Sequence, residues 1–161
     1  MSSENTEHKP RHFLVVVDDT PECRKALRFA ARRAHSVDNG GVMLLRVTEP
    51  PDFQHWMGVG DLMRAEAREK IEERFAFFRE KMLENEGVTA ELVIREGETA
   101  KEVLAQIKDD PEIGVLVLGA GTGRKGPGPL VTAMSKNAGT LPIPMTIVPG
   151  ELSKEQLEAI T

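Results

Sequence analysis

The run Ile113-Gly114-Val115-Leu116-Val117-Leu118 passes directly into Gly119-Ala120-Gly121-Thr122-Gly123. An unbroken apolar run of this length fits a strand buried on both faces, as in a parallel sheet covered by helices. Glycines at its carboxyl end let the backbone turn sharply and approach a ligand closely. Five glycines fall between Gly119 and Gly128. Backbone N–H groups in such a loop can form an anion nest, so a phosphate site is one reading and a ligand-free turn is the other. The Walker pattern does not fit, because no Gly-Lys-Ser/Thr opens the next helix.

Outward from this loop the chain alternates between strands and helices. His12 to Asp18 is a first buried strand, and Thr20-Pro21-Glu22 is a helix start with a hydroxyl cap, proline at the first position and an acid in the first turn. Cys23, Leu27, Ala30, Ala31 and Ala34 then form a narrow stripe of mostly small residues. Val42 to Val47 is a second strand, ended by Glu49-Pro50-Pro51. After an insertion holding Phe53, His55 and Trp56, a long amphipathic helix spans about 61–86, with Ile71, Phe75, Phe78 and Met82 on one stripe. Thr89 to Arg95 contains a third strand, and Thr99-Ala100-Lys101-Glu102 is a capping box that turns Val103, Leu104 and Ile107 inward. The apolar run at 113–118 is the fourth strand. Pro129 to Asn137 is a short helix stopped by Gly139, Ile143 to Val148 a fifth strand, and Ser153 to Ile160 a terminal helix with Ser153 and Gln156 as a second capping box.

This order predicts an α/β fold: an open, doubly wound, mostly parallel five-stranded sheet with helices on both faces. Ligands bind such sheets beyond the carboxyl ends of the strands. Asp18 to Thr20, Val47 to Glu49 and the glycine loop all lie at such ends and are expected to meet at one crevice.

Composition narrows the functional classes. With 161 residues and a formal charge of −5, the chain suits one domain and is a poor match for nucleic acid or an anionic membrane. No apolar stretch is long enough to span a bilayer. Residues 1–10 are polar and read as a flexible tail on a cytoplasmic protein, 11–150 as the folded domain and 151–161 as a C-terminal helical extension. The single cysteine, Cys23, permits neither an internal disulfide nor a cysteine-based metal cluster. Although it stands near a helix N-terminus, where a thiol pKa can fall, its place in the apolar stripe favours a small packed residue. His8, His12, His35 and His55 lack metal-ligand spacing, and no catalytic nucleophile or base can be assigned.

Two families begin in this way. Phe13-Leu14-Val15-Val16-Val17-Asp18-Asp19 resembles the opening of phosphoacceptor receiver domains. Those domains need an acceptor aspartate after the third strand and a lysine after the fifth, and Leu92 to Gly97 and Thr146 to Gly150 supply neither. The better resemblance covers nearly all of Arg11 to Gly150 and is to the universal stress protein family, whose members often bind ATP or another adenine nucleotide. It rests on Val17-Asp18-Asp19-Thr20, on Leu44-Leu45-Arg46-Val47-Thr48-Glu49-Pro50, on Leu92-Val93-Ile94-Arg95-Glu96-Gly97, and on Leu141-Pro142-Ile143-Pro144 leading Met145 to Val148.

The resemblance implies a homodimer paired along the last strand and an adenine-nucleotide crevice. It makes Asp18, followed by Thr20, a contact to the ribose or its metal; the alternative is a carboxylate accepting N–H bonds at the next helix start. Val47 becomes an adenine contact through its backbone, or else an ordinary buried strand-end valine. Gly119, Gly121 and Gly123 become phosphate donors, with charge from Arg124 and Lys125, and Thr132 a phosphate ligand or a residue that bonds its own helix. The motif of nucleotide-binding members is Gly, two residues, Gly, nine residues, then Gly-Ser or Gly-Thr. Here Val131-Thr132 stands at the final pair, and Pro127 and Pro129 cannot donate N–H groups. Val131 is therefore expected to obstruct the site or to have forced the loop outward. The residues favour a binding protein over an enzyme; the alternatives are a ligand-free interaction module and a weak nucleotide hydrolase.

Overall fold

The computed structural model describes residues 9–49 and 57–161, with side chains from residue 60 in the second span. The Phe53, His55 and Trp56 insertion lies outside the described residues. Strand β1 (His12–Val16) leads into helix α1 (Pro21–His35), β2 (Gly41–Thr48), the long α2 (Met57–Glu86), β3 (Ala90–Glu96) and α3 (Thr99–Asp109). The chain continues through β4 (Ile113–Ala120), α4 (Pro129–Lys136), a 3₁₀ turn at Ala138–Thr140, β5 (Met145–Pro149) and α5 (Lys154–Ile160). The sheet order is β3-β2-β1-β4-β5, and each of the four pairings is parallel. The doubly wound α/β fold read from the sequence is thus the observed one, with a wholly parallel sheet.

Each strand presents alternate residues to two cores, as the pleat requires. On one face Val15, Val42, Leu44, Val117 and Val148 pack with α1, the end of α2 and α5. On the other, Leu14, Val16, Met43, Leu45, Leu116 and Leu118 pack with α3 and α4. Ala26, Ala30, Ala31 and Ala34 of α1 are at most 1 % exposed, so this helix lies close against the central strands. An extra methylene at these positions would overpack the interface. Leu157 of α5 is fully buried in the same core, and Arg28 of α1 pairs with Glu158 at 2.7 Å.

Helix ends differ from the sequence reading in three places. Thr20 is the N-cap of α1, but its side chain makes no capping bond; its hydroxyl donates to Asp18 instead. Helix α3 is capped by Glu98, one residue before the expected Thr99, with no side-chain bond. The Glu102 carboxylate needed for a capping box there is held at 2.7 Å by Arg95 Nε. Helix α2 begins at Met57, ahead of the expected start near residue 61, while α4 closes with Asn137 as its C-cap, in keeping with the expected end. The Ser153–Gln156 capping box at α5 forms fully.

Candidate functional site

The switch in strand order lies at β1, whose neighbours are β2 on one side and β4 on the other. Beyond the carboxyl ends of β1 and β2 lies a crevice of about 470 Å³. Val16 to Asp19 line it from β1, and Arg46, Val47 and Glu49 from β2. Glu98, Thr99 and Ala100 close it at the start of α3, and Pro129, Leu130 and Ala133 at the start of α4. Asp18 and Val47 therefore share one crevice.

The Asp18 carboxylate accepts the Thr20 N–H at 3.0 Å and the Thr20 hydroxyl. This local turn fixes the carboxylate while leaving the residue exposed at the crevice wall. Thr20 itself lines a neighbouring groove with Pro21 and Cys23. Asp19 bridges two guanidinium groups, Arg46 at 3.3 Å and Arg74 of α2. Arg46 Nη1 donates to the Val17 carbonyl at 3.3 Å, and its buried Nε has no hydrogen-bond partner among the described residues. Among the described residues the crevice wall carries four carboxylates, Asp18, Asp19, Glu49 and Glu98, and one cation, Arg46.

The glycine loop does not line this crevice. A Cβ on Gly119 would lie 2.5 Å from the Glu22 carbonyl oxygen in the first turn of α1. Gly121 is pressed by the Glu22 carboxylate and the Gly126 carbonyl, and its N–H is donated to Pro127 at 3.0 Å. Close approach of the α1 backbone thus explains Gly119, while at Gly121 the Glu22 side chain and the loop's own return at Gly126 share the crowding. Gly123 stands in open space, and Arg124 and Lys125 are exposed. The chain re-enters the crevice at Pro129 after Gly128, which adopts φ +107° as the N-cap of α4. Thr132 is exposed, and its N–H and hydroxyl both donate to the Gly128 carbonyl at 3.1 and 2.9 Å.

Val131 corrects the expected obstruction. It is 6 % exposed and packs with Met134 and the Leu14 and Leu116 layer beneath α4. Its branched side chain fills core, not crevice. Burial likewise pushes the Cys23 thiol up to about 11, so this cysteine is a packed residue with little thiolate at neutral pH. Sequence reasoning missed Arg46, Glu98 and Arg74 as parts of this edge. Arg46 left a signal, a charged residue inside the apolar Leu44 to Val47 run. Arg74 left none, because its contact with Asp19 depends on where α2 lands.

The sequence model of the universal stress protein family matches residues 9–149. The chain belongs to the universal stress protein family. Solved structures similar to it are members or share the fold. Universal stress protein UspA from Lactobacillus plantarum superposes with a TM-score of 0.67 at 18 % identity, covering 88 % of this chain and 99 % of that one. The hypothetical protein MJ0577 gives a TM-score of 0.74 at 14 % identity, over 89 % and 99 % of the two chains. A universal stress protein family member from Arabidopsis thaliana, solved with AMP bound, gives 0.59 at 18 % identity, over 87 % and 92 %. At these identities the likeness is one of fold. Comparison with curated protein sequences gives no match. Among the described residues no helix is long and apolar enough to cross a membrane, and no cluster of His, Cys, Asp and Glu could hold a metal ion.

Proposed function

We propose that this universal stress protein is a cytoplasmic stress-response protein that binds an adenine nucleotide in the crevice at the carboxyl ends of β1 and β2. The observation that carries the reading is the convergence there of Asp18, Val47 and the start of α4. Asp18 suits a ribose hydroxyl, since its carboxylate is already oriented by Thr20. Val47, next to last in β2, lines the same crevice and suits the base. The phosphate falls to the start of α4, where the first amides after Pro129 have no intrahelical acceptor and the helix dipole favours an anion.

The residues fit the nucleoside half better than a polyphosphate tail. Four carboxylates face one guanidinium, so each added phosphate raises the repulsion. AMP is accordingly expected to bind more tightly than ATP in the absence of a divalent cation. Titration calorimetry with both nucleotides tests this. Asp18→Asn keeps an acceptor for the Thr20 turn while removing the charge, and is expected to weaken AMP binding about tenfold. Absence of binding by either nucleotide at millimolar concentration would overturn the reading and leave the interaction module. The same reading includes a homodimer paired through β5, and a site that binds without catalysing.

A further inference from the structure

A second cavity, of about 300 Å³, lies on the opposite face of the sheet, between α2 and the strands. Its sheet wall is Val17, Leu44 and Leu92, and its helix wall is Ile71, Phe75 and Phe78. Phe75 and Phe78 pack against the sheet core and yet, like Ile71, remain half-buried, leaving a hollow between α2 and the strands. Met82, on the same stripe but nearer the helix end, is 5 % exposed. An apolar hollow of this size is poorly served by water and well served by hydrocarbon.

The rim is cationic. Among the described residues Lys70, Arg74 and Arg46 stand there against one acid, Asp19, in a chain whose formal charge is −5. Asp19 is shared by both arginines. Among the described residues Lys70 makes no ion pair, and the buried Arg46 Nε has no acceptor. Apolar walls under an unbalanced cationic rim match one ligand chemistry: a hydrocarbon tail with a single carboxylate head.

We propose that the cavity under α2 binds a medium-chain aliphatic carboxylate, its tail against Leu44, Phe75 and Phe78 and its head at Lys70 and Arg46. The volume lies at the small end of ligand pockets, which favours an eight-carbon acid over a long-chain one. The cavity shares only Val17, Asp19 and Arg46 with the nucleotide crevice, and its remaining walls, Leu44, Leu92 and α2, lie outside that crevice, so octanoate binding stands or falls apart from nucleotide binding.

Titration calorimetry with octanoate, hexanoate and octylammonium on the full chain tests it. Octanoate is expected to bind about tenfold more tightly than hexanoate, as two buried methylenes dictate. Octylammonium is expected not to bind, because the rim repels it. In methyl NMR, octanoate is expected to shift Leu44, Ile71 and Leu92. Ala67→Phe, at a lining position, is expected to abolish binding by filling the space. Lys70→Glu changes an exposed residue, so it keeps the fold and is expected to weaken octanoate at least tenfold. Undetectable octanoate binding at millimolar concentration, equal affinity for octylammonium, or full affinity in folded Lys70→Glu would each overturn the proposal.

Discussion

Gly119 and Gly123 look alike in the sequence and differ entirely in their surroundings. The missing Cβ of Gly119 leaves room for the Glu22 backbone at 2.5 Å, whereas nothing lies within 4 Å of that position at Gly123. Gly119→Ala is expected to destabilise the protein by about 1–3 kcal/mol, because two backbones must part. Gly123→Ala, with space around it, is expected to change stability by less than about 0.5 kcal/mol. Urea denaturation of the two variants checks the contrast, and equal losses would reject it. The glycine cluster was legible as a close approach but not as to what approaches. The partner is α1, which is far away in sequence and reaches the loop only because β1 pairs with β4. Asp18 and Val47 could be placed from strand ends alone, since a parallel sheet brings consecutive carboxyl ends to one edge.

Helices were legible where one local pattern sufficed and less so where a distant side chain intervened. Ser153 and Gln156 have no competitor and form their box. Glu102 instead answers to Arg95, whose guanidinium also reaches Gln106 and Asp109 at 3.0 and 3.4 Å. The course of α2 from about residue 61 to Glu86 was readable from its apolar stripe, but its first turn from Met57 and its gap from the sheet were not, because periodicity reports a face and not a distance. This helix also ends unfavourably, with Glu86 at the negative pole of its dipole. Burial raises the Glu86 pKa above its ordinary 4.5, against the opposing pull of Arg28, Arg32 and His35. The folded form therefore holds this proton more tightly than the unfolded chain, and stability falls as pH rises past 4.5 through the raised value. Glu86→Gln is expected to stabilise by about 0.5 kcal/mol near neutral pH and to lose that advantage in acid, as thermal melts across pH would record. A gain independent of pH would reject the assignment.

Over the whole molecule, β3 and β5 are the sheet edges. Ile147 on β5 pairs with Leu118 and is 38 % exposed, which makes it a surface probe and not a core one. In the proposed homodimer, Ile147→Lys is expected to give monomers by light scattering while keeping the wild-type far-UV circular dichroism spectrum, with a melting point that no longer rises with concentration. A wild-type chain that is monomeric at every concentration would reject the dimer. The sheet order has another consequence, for synthesis. The innermost strand of the five is the first to be made, and its β4 neighbour begins at Ile113. At ribosomal speed that interval is roughly 5–20 s. During it the nascent chain carries Leu14 and Val15, both fully buried at the end, along an open strand edge that any similar strand could occupy. Chains released before Ile113 should therefore be aggregation-prone, so that keeping the nascent edge sheltered matters more here than in a sheet built from one side to the other.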